Sequence, residues 1–159
     1  MNLQKKSPSS MVLLPSGGTR LPEALVEAYL TTHYHAHPSD STPDFVLRVG
    51  QVSPELAGLM KRYNRQSAAF ITAWNPMGNA LSDAQNRARN DALRQVLEQR
   101  SLLHWPGTGV GLTGDWPGEE CYLVLGLDLQ AARRLAQDVE QNAFVWAGAS
   151  CMSELVLLV

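Results

Sequence analysis

The feature that most constrains the fold is a run of strand and helix patterns between Ala68 and Gly148. Ala68–Trp74 reads as a strand stopped by Asn75-Pro76, and Ser82-Asp83-Ala84-Gln85 has the form of a capping box that starts a long helix reaching about Arg100. Leu102–Trp105 reads as a short strand, and Cys121–Leu127 is an apolar run with little alternation, as a central strand requires. Asp128 caps a second helix, whose Leu129, Ala132, Leu135, Ala136 and Val139 share one face, and Ala143–Gly148 closes the set as a strand. Strand, helix, strand, strand, helix, strand is the ferredoxin-like split arrangement.

The flanks decorate that core. Leu21–Tyr34 reads as a helix with Pro22 in its first turn, and Phe45–Val49 as a short strand. Ser53-Pro54-Glu55 opens another helix with Leu56, Leu59, Met60 and Tyr63 inward, and Glu154–Val159 is a final strand. The expected class is therefore α/β (α+β): a ferredoxin-like βαββαβ core with an N-terminal α-β-α and an extra C-terminal strand. Residues 1–20 are expected to be a flexible tail and 21–159 a single domain.

Composition excludes several functions. A net charge of −2 and a pI near 6.1 argue against a nucleic-acid binder. The apolar run Met11–Leu14 is too short for a signal-peptide core, and no stretch approaches the ~20 apolar residues of a membrane span. Cys121 and Cys151 have neither metal-ligand nor redox-motif spacing and read as reduced thiols, so the expected location is the cytoplasm. No cofactor is expected.

Topology gathers the unusual polar residues. Each strand–helix–strand crossover joins parallel strands. Trp74-Asn75-Pro76, the start of the long helix, the stretch Trp105–Glu120 and Gln141-Asn142 then meet at one edge of the sheet, here called the top. At 100° per residue, Asn86 and Asn90 lie on the same helical stripe as Leu93 and Leu97, facing the sheet. Buried amides there need either a protein hydrogen-bond network or a polar ligand. Asn75, preceding a proline, is expected to be extended. The helix start suits an anion, with Arg87 and Arg89 adding positive charge.

Gly109, Gly111 and Gly114 match a dinucleotide fingerprint in letters only, because Trp116-Pro117-Gly118 leads into a strand and not a helix. The expected structure is a flexible hairpin with Trp105 and Trp116 near its base, walling a pocket or capping the core. Glu119 and Glu120 point to opposite faces, so only one can serve any given site. His33, His35 and His37 would share a face on a strand, but are expected at a helix end and in a turn, where no metal is needed.

The segments Phe70-Ile71-Thr72-Ala73-Trp74-Asn75-Pro76, Asn86-x-x-x-Asn90-x-x-Leu93, Pro106-Gly107-x-Gly109 with Trp116-Pro117-Gly118-Glu119-Glu120, and Gln141-Asn142-Ala143-Phe144-Val145-Trp146 resemble a bacterial family, domain of unknown function 3293. The resemblance runs from about Tyr29 to the end. It implies a small cytosolic bacterial protein and brings no activity, cofactor or catalytic residue with it.

The leading expectation is a binding module for a small polar or anionic ligand at the top edge. Asn75, Asn86 and Asn90 would supply hydrogen bonds, Trp116 a wall, Glu119 or Glu120 a charge, and Gln141 and Asn142 the far side. One alternative is an enzyme using Glu119 or Glu120 as general base; another is a homodimer pairing through the exposed edge of the sheet. No metal site, nucleic-acid partner or membrane partner is expected.

Overall fold

The computed structural model describes residues 11–112 and 118–159. Among these, strands β1 (Val12–Leu13), β2 (His33–Ala36), β3 (Phe45–Leu47), β4 (Ala68–Ile71), β5 (His104–Val110), β6 (Glu119–Leu125), β7 (Ala143–Ala147) and β8 (Ser153–Leu157) form one sheet. Helices α1 (Glu23–Thr31), α2 (Pro54–Arg62), α3 (Asp83–Gln99) and α4 (Leu129–Asp138) complete a mixed α/β fold. The strand order is β1-β8-β7-β4-β6-β5-β2-β3, antiparallel throughout except for the β1–β8 pair.

Alternation along the strands builds two cores. On one face Phe70, Trp105, Leu123, Val145 and Leu155 meet Leu56, Leu59 and Met60 of α2, with Val26, Tyr29 and Leu30 of α1 packed alongside. On the other, Ala69, Ile71, Val124, Phe144 and Val156 meet Leu93 and Leu97 of α3 and Ala132, Leu135 and Ala136 of α4. Each leucine so buried is worth roughly 1.5–3 kcal/mol relative to exposure. The helix starts are fixed locally. Ser53 and Asp128 accept from the N–H groups of Leu56 and Ala131, and Ser82 with Gln85 forms the full capping box.

The sheet curls until the chain beyond β3 reaches β8. Val52 bridges Met152, and the Gly50 N–H donates to the Ser153 carbonyl at 2.8 Å. Gly50 has φ +84°, a left-handed backbone that L side chains rarely adopt, so glycine suits this closure.

Four expectations need correction. The N-terminal helix ends at Thr31, not Tyr34, because the hydroxyls of Thr31 and Thr32 bond back to the carbonyls of Glu27 and Ala28. His33 and His35 therefore lie on strand β2, not at a helix end. Of the expected tail, residues 1–10 lie outside the described residues, whereas Val12 and Leu13 pair with Leu155 and Val156, and the Arg20 N–H donates to the Val159 carbonyl. Finally, β5 continues to Val110, through residues whose glycines suggest a loop. Gly107 permits this, because a Cβ there would stand 2.7 Å from the His35 carbonyl oxygen and 2.5 Å from Phe70 Cζ.

Candidate functional site

The top edge is held together by side chains bonding to backbone. Asn86 and Asn90 are 1% and 2% exposed, so their amides must find partners inside the protein. Asn90 Oδ1 accepts from the Ala73 N–H at 2.8 Å, and its Nδ2 donates to the Glu120 carbonyl at 2.8 Å. It thereby joins the end of β4 to the start of β6 from the middle of α3. Thr72 adds a parallel link, its hydroxyl donating to the same Glu120 carbonyl at 2.6 Å.

One turn earlier, Asn86 Oδ1 accepts from the Asn75 N–H and Asn86 Nδ2 donates to Asn75 Oδ1, both at 2.8 Å. Asn75 Oδ1 also accepts from the Leu81 N–H at 3.0 Å. Asn75 is not extended as its proline neighbour suggests: it sits in the left-handed region at φ 46°, as does Met77 at φ 52°. Such conformations cost of order 1–3 kcal/mol each and persist only when surrounding contacts fix them. The Asn86 pair fixes the first, and the Met77 N–H, donating to the Glu140 carbonyl at 2.7 Å, helps fix the second.

Arg89 does not serve as a diffuse charge at the helix start. Its Nε donates to the Ala73 carbonyl and its Nη2 to the Val139 carbonyl, each at 2.9 Å. Val139 caps the C-terminus of α4, where a cation complements the helix dipole. Gln141 joins in, donating from Nε2 to the Trp74 carbonyl at 3.1 Å. Arg87 is exposed.

The opposite side of the same edge carries a second polar group. Glu119 lies on the face of β6 shared with Cys121 and Leu123, whereas Glu120 shares a face with Tyr122 and Val124 and is exposed. Tyr29 of α1 lies within reach of the Glu119 charge and the Asn142 side chain. Burial pushes the Tyr29 hydroxyl up, the Asn142 amide offsets part of that, and the Glu119 charge adds to it. Tyr34 donates to the Tyr29 carbonyl at 3.0 Å, and burial above all holds its hydroxyl up as well. Asn142 Nδ2 lies 3.6 Å from where a Cβ on Gly78 would stand, so this group touches the turn that Asn75 begins.

The structure thus brings Asn75, Asn86, Asn90, Glu119, Glu120, Gln141 and Asn142 to one edge. It divides them between the α3 side and the α1 side. Trp116 lies outside the described residues. Trp105 is buried in the core with its ring 5.2 Å from that of Tyr63, and so caps the core. Sequence reasoning missed Tyr29 as a polar contributor because it falls on the apolar side of α1, and Tyr34 because it reads as the end of that helix; the pairing of β2 with β5 places Tyr34.

Other features lie away from this edge. The void between Phe70, Leu123, Val145 and Ser153 is too tight for a water molecule, and an open groove of about 360 Å³ runs between β3 and the start of α2. His33 and His35 share a face of β2, their ring centroids 6.5 Å apart, while His37 bonds Asp44 and Thr108. Among the described residues no group of three or more His, Cys, Asp or Glu side chains is placed to hold a metal ion, and no helix is long and apolar enough to cross a membrane.

Fold and edge define a small mixed α/β protein with a side-chain-braced polar rim. Residues 71–144 match the model of a family described as "Protein of unknown function (DUF3293)". The match is narrower than the span from Tyr29 onward that the motifs suggested. It contains the whole asparagine network, Glu119 and Asn142, but leaves out Tyr29 and Tyr34. No curated protein and no solved structure matches the chain.

Proposed function

We propose that the top edge binds a small polar ligand on its α1 side, recognised by Glu119, Asn142 and Tyr29. The observation that carries this reading is the meeting of a carboxylate, an amide and a phenol from three distant segments, beside a turn held in left-handed backbone geometry. Asn75, Asn86, Asn90 and Gln141 act as the frame, fixing that turn and the strand ends. The ligand is one that offers an amine or hydroxyl to the carboxylate. An anion at the start of α3 fits less well, because the capping box already engages that helix end and Asp83 places a carboxylate in its first turn. A catalytic version of the same reading uses Glu119, whose charge reaches Tyr29 and Tyr34, as the general base in preference to the exposed Glu120.

The stretch β4-α3-β5-β6-α4-β7 is read as a ferredoxin-like unit, supported by the order β7-β4-β6-β5 with antiparallel neighbours. A bacterial, cytoplasmic protein is the reading supported by the family resemblance and by two cysteines that are both free thiols.

Thermal melting against a panel of small amines, polyols and carboxylates tests the site. The expected result is an amine or polyol that raises the melting midpoint of the wild type and of Glu120→Gln, but not of Glu119→Gln or Asn142→Ala. A compound series that shifts Glu119→Gln as strongly as wild type overturns the proposal.

A further inference from the structure

We infer that this chain pairs with a second copy of itself along the outer edge of β3. The His37 N–H donates to the Pro106 carbonyl at 2.9 Å, so the odd-numbered residues of β2 turn their backbone groups toward β5. Tyr34 and Ala36 therefore turn theirs toward β3, where they lie opposite Leu47 and Phe45. Val46, between those two, points its N–H and C=O away from the sheet, and β3 is the outermost strand on that side. The open groove of about 360 Å³ lies along this edge, with Asp44, Phe45, Val46 and Arg48 on one wall and Gln51–Glu55 on the other.

The edge is self-complementary. Asp44-Phe45-Val46-Leu47-Arg48 reads acidic at one end, basic at the other and β-branched at its centre. Antiparallel pairing about a twofold axis at Val46 forms two N–H···O=C bonds between the two Val46 residues. It also sets each Asp44 opposite the other copy's Arg48. Both charged residues are exposed, and Arg48 has no ion-pair partner among the described residues. Asp44 uses Oδ2 to hold His37 Nδ1 at 2.8 Å, which leaves Oδ1 to face the second copy.

Short strands with flanking charges also serve to keep edges apart. What favours pairing here is that the charges are opposite and placed symmetrically about the centre. With only 3 residues in β3, the contact falls below the roughly 1,200 Å² typical of stable complexes, so the dimer is reversible and concentration-dependent.

Sedimentation velocity over a wide concentration range, up to roughly 500 µM, tests the inference. The wild type is expected to rise from monomer toward dimer. Arg48→Asp should weaken association at least about tenfold by setting like charges face to face, and adding Asp44→Arg to it should restore association. Val46→Pro, which removes the outward N–H, should also weaken it. A wild type that stays monomeric overturns the inference, as does a dimer indifferent to Arg48→Asp. Failure of the double exchange to restore association overturns the proposed register.

Discussion

Asn75 and Asn86 bond each other in both directions: the backbone N–H of Asn75 donates to Asn86 Oδ1, and Asn86 Nδ2 donates to Asn75 Oδ1, each at 2.8 Å. The reciprocity explains how a residue before proline is kept at φ 46°, away from the extended conformation it prefers. It also ties the turn after β4 to the first turns of α3 before any ligand is considered.

Removing this brace is costly. Asn86→Ala leaves the Asn75 N–H without its acceptor and releases the left-handed turn, so the expected loss is about 2–3 kcal/mol by urea unfolding at unchanged m value. Asn90→Leu is expected to lose about 1–3 kcal/mol, because the Ala73 N–H and the Glu120 carbonyl lose their shared partner. If Asn90→Leu proves as stable as wild type or more so, its amide is not a brace, and it belongs with the ligand-facing groups.

A separate polar link gives the protein an acid-sensitive contribution. The Tyr63 hydroxyl donates to Asp40 Oδ2, and this bond, with help from Thr42, holds the Asp40 carboxyl down to about 2 from its ordinary 3.8. A depressed folded-state value stabilises the fold above the unfolded value and ceases to do so as pH falls through the folded one. The contribution is thus complete above pH 3.8 and disappears toward pH 2. Comparing unfolding of wild type and Tyr63→Phe across that window should show a gap at neutral pH that narrows as acid is added. No gap at any pH would mean that the tyrosine acts through packing against Trp105 alone, and a gap of constant size that its hydroxyl stabilises the fold independently of the Asp40 charge.

Two buried serines are expected to respond to alanine with opposite sign. Ser53 Oγ accepts from the Leu56 N–H at 3.1 Å as the cap of α2, so Ser53→Ala should destabilise by about 1 kcal/mol. Ser153 is fully buried, and its hydroxyl has no hydrogen-bond partner among the described residues, facing a void that excludes water. Ser153→Ala removes that unmet group and should stabilise by roughly 1 kcal/mol, about 2–4 °C in melting midpoint. Calorimetry on both variants decides; a destabilised Ser153→Ala would reveal a bond that this hydroxyl makes.

Local signals carried the helices and most strands. The capping box at Ser82, the caps at Ser53 and Asp128 and the leucine stripes all act within a few residues. Longer-range decisions were hidden. His33–Ala36 reads in sequence as a helix end running into a polar turn, and becomes a strand because β3 and β5 flank it. Pro106 and Gly107 look like loop residues. Yet the missing N–H of Pro106 falls where its ladder with β2 ends, and Gly107 is demanded by Phe70 and the His35 carbonyl pressing against it. For the site, the shared stripe of Asn86 and Asn90 was legible from helical geometry alone. Their bonding partners were not, because Asn75, Ala73 and Glu120 reach them only through the fold.

The central claim is that small polar molecules bind on the α1 side of the top edge. The most direct measurement is amide chemical-shift mapping by ¹H–¹⁵N NMR during titration with small amine and polyol fragments. Saturable shifts are expected to cluster at Tyr29, Gly78, Glu119 and Asn142, and to be lost in Glu119→Gln while the rest of the spectrum is unchanged. Saturable shifts confined to the groove beside β3, or anywhere away from those residues, would contradict it.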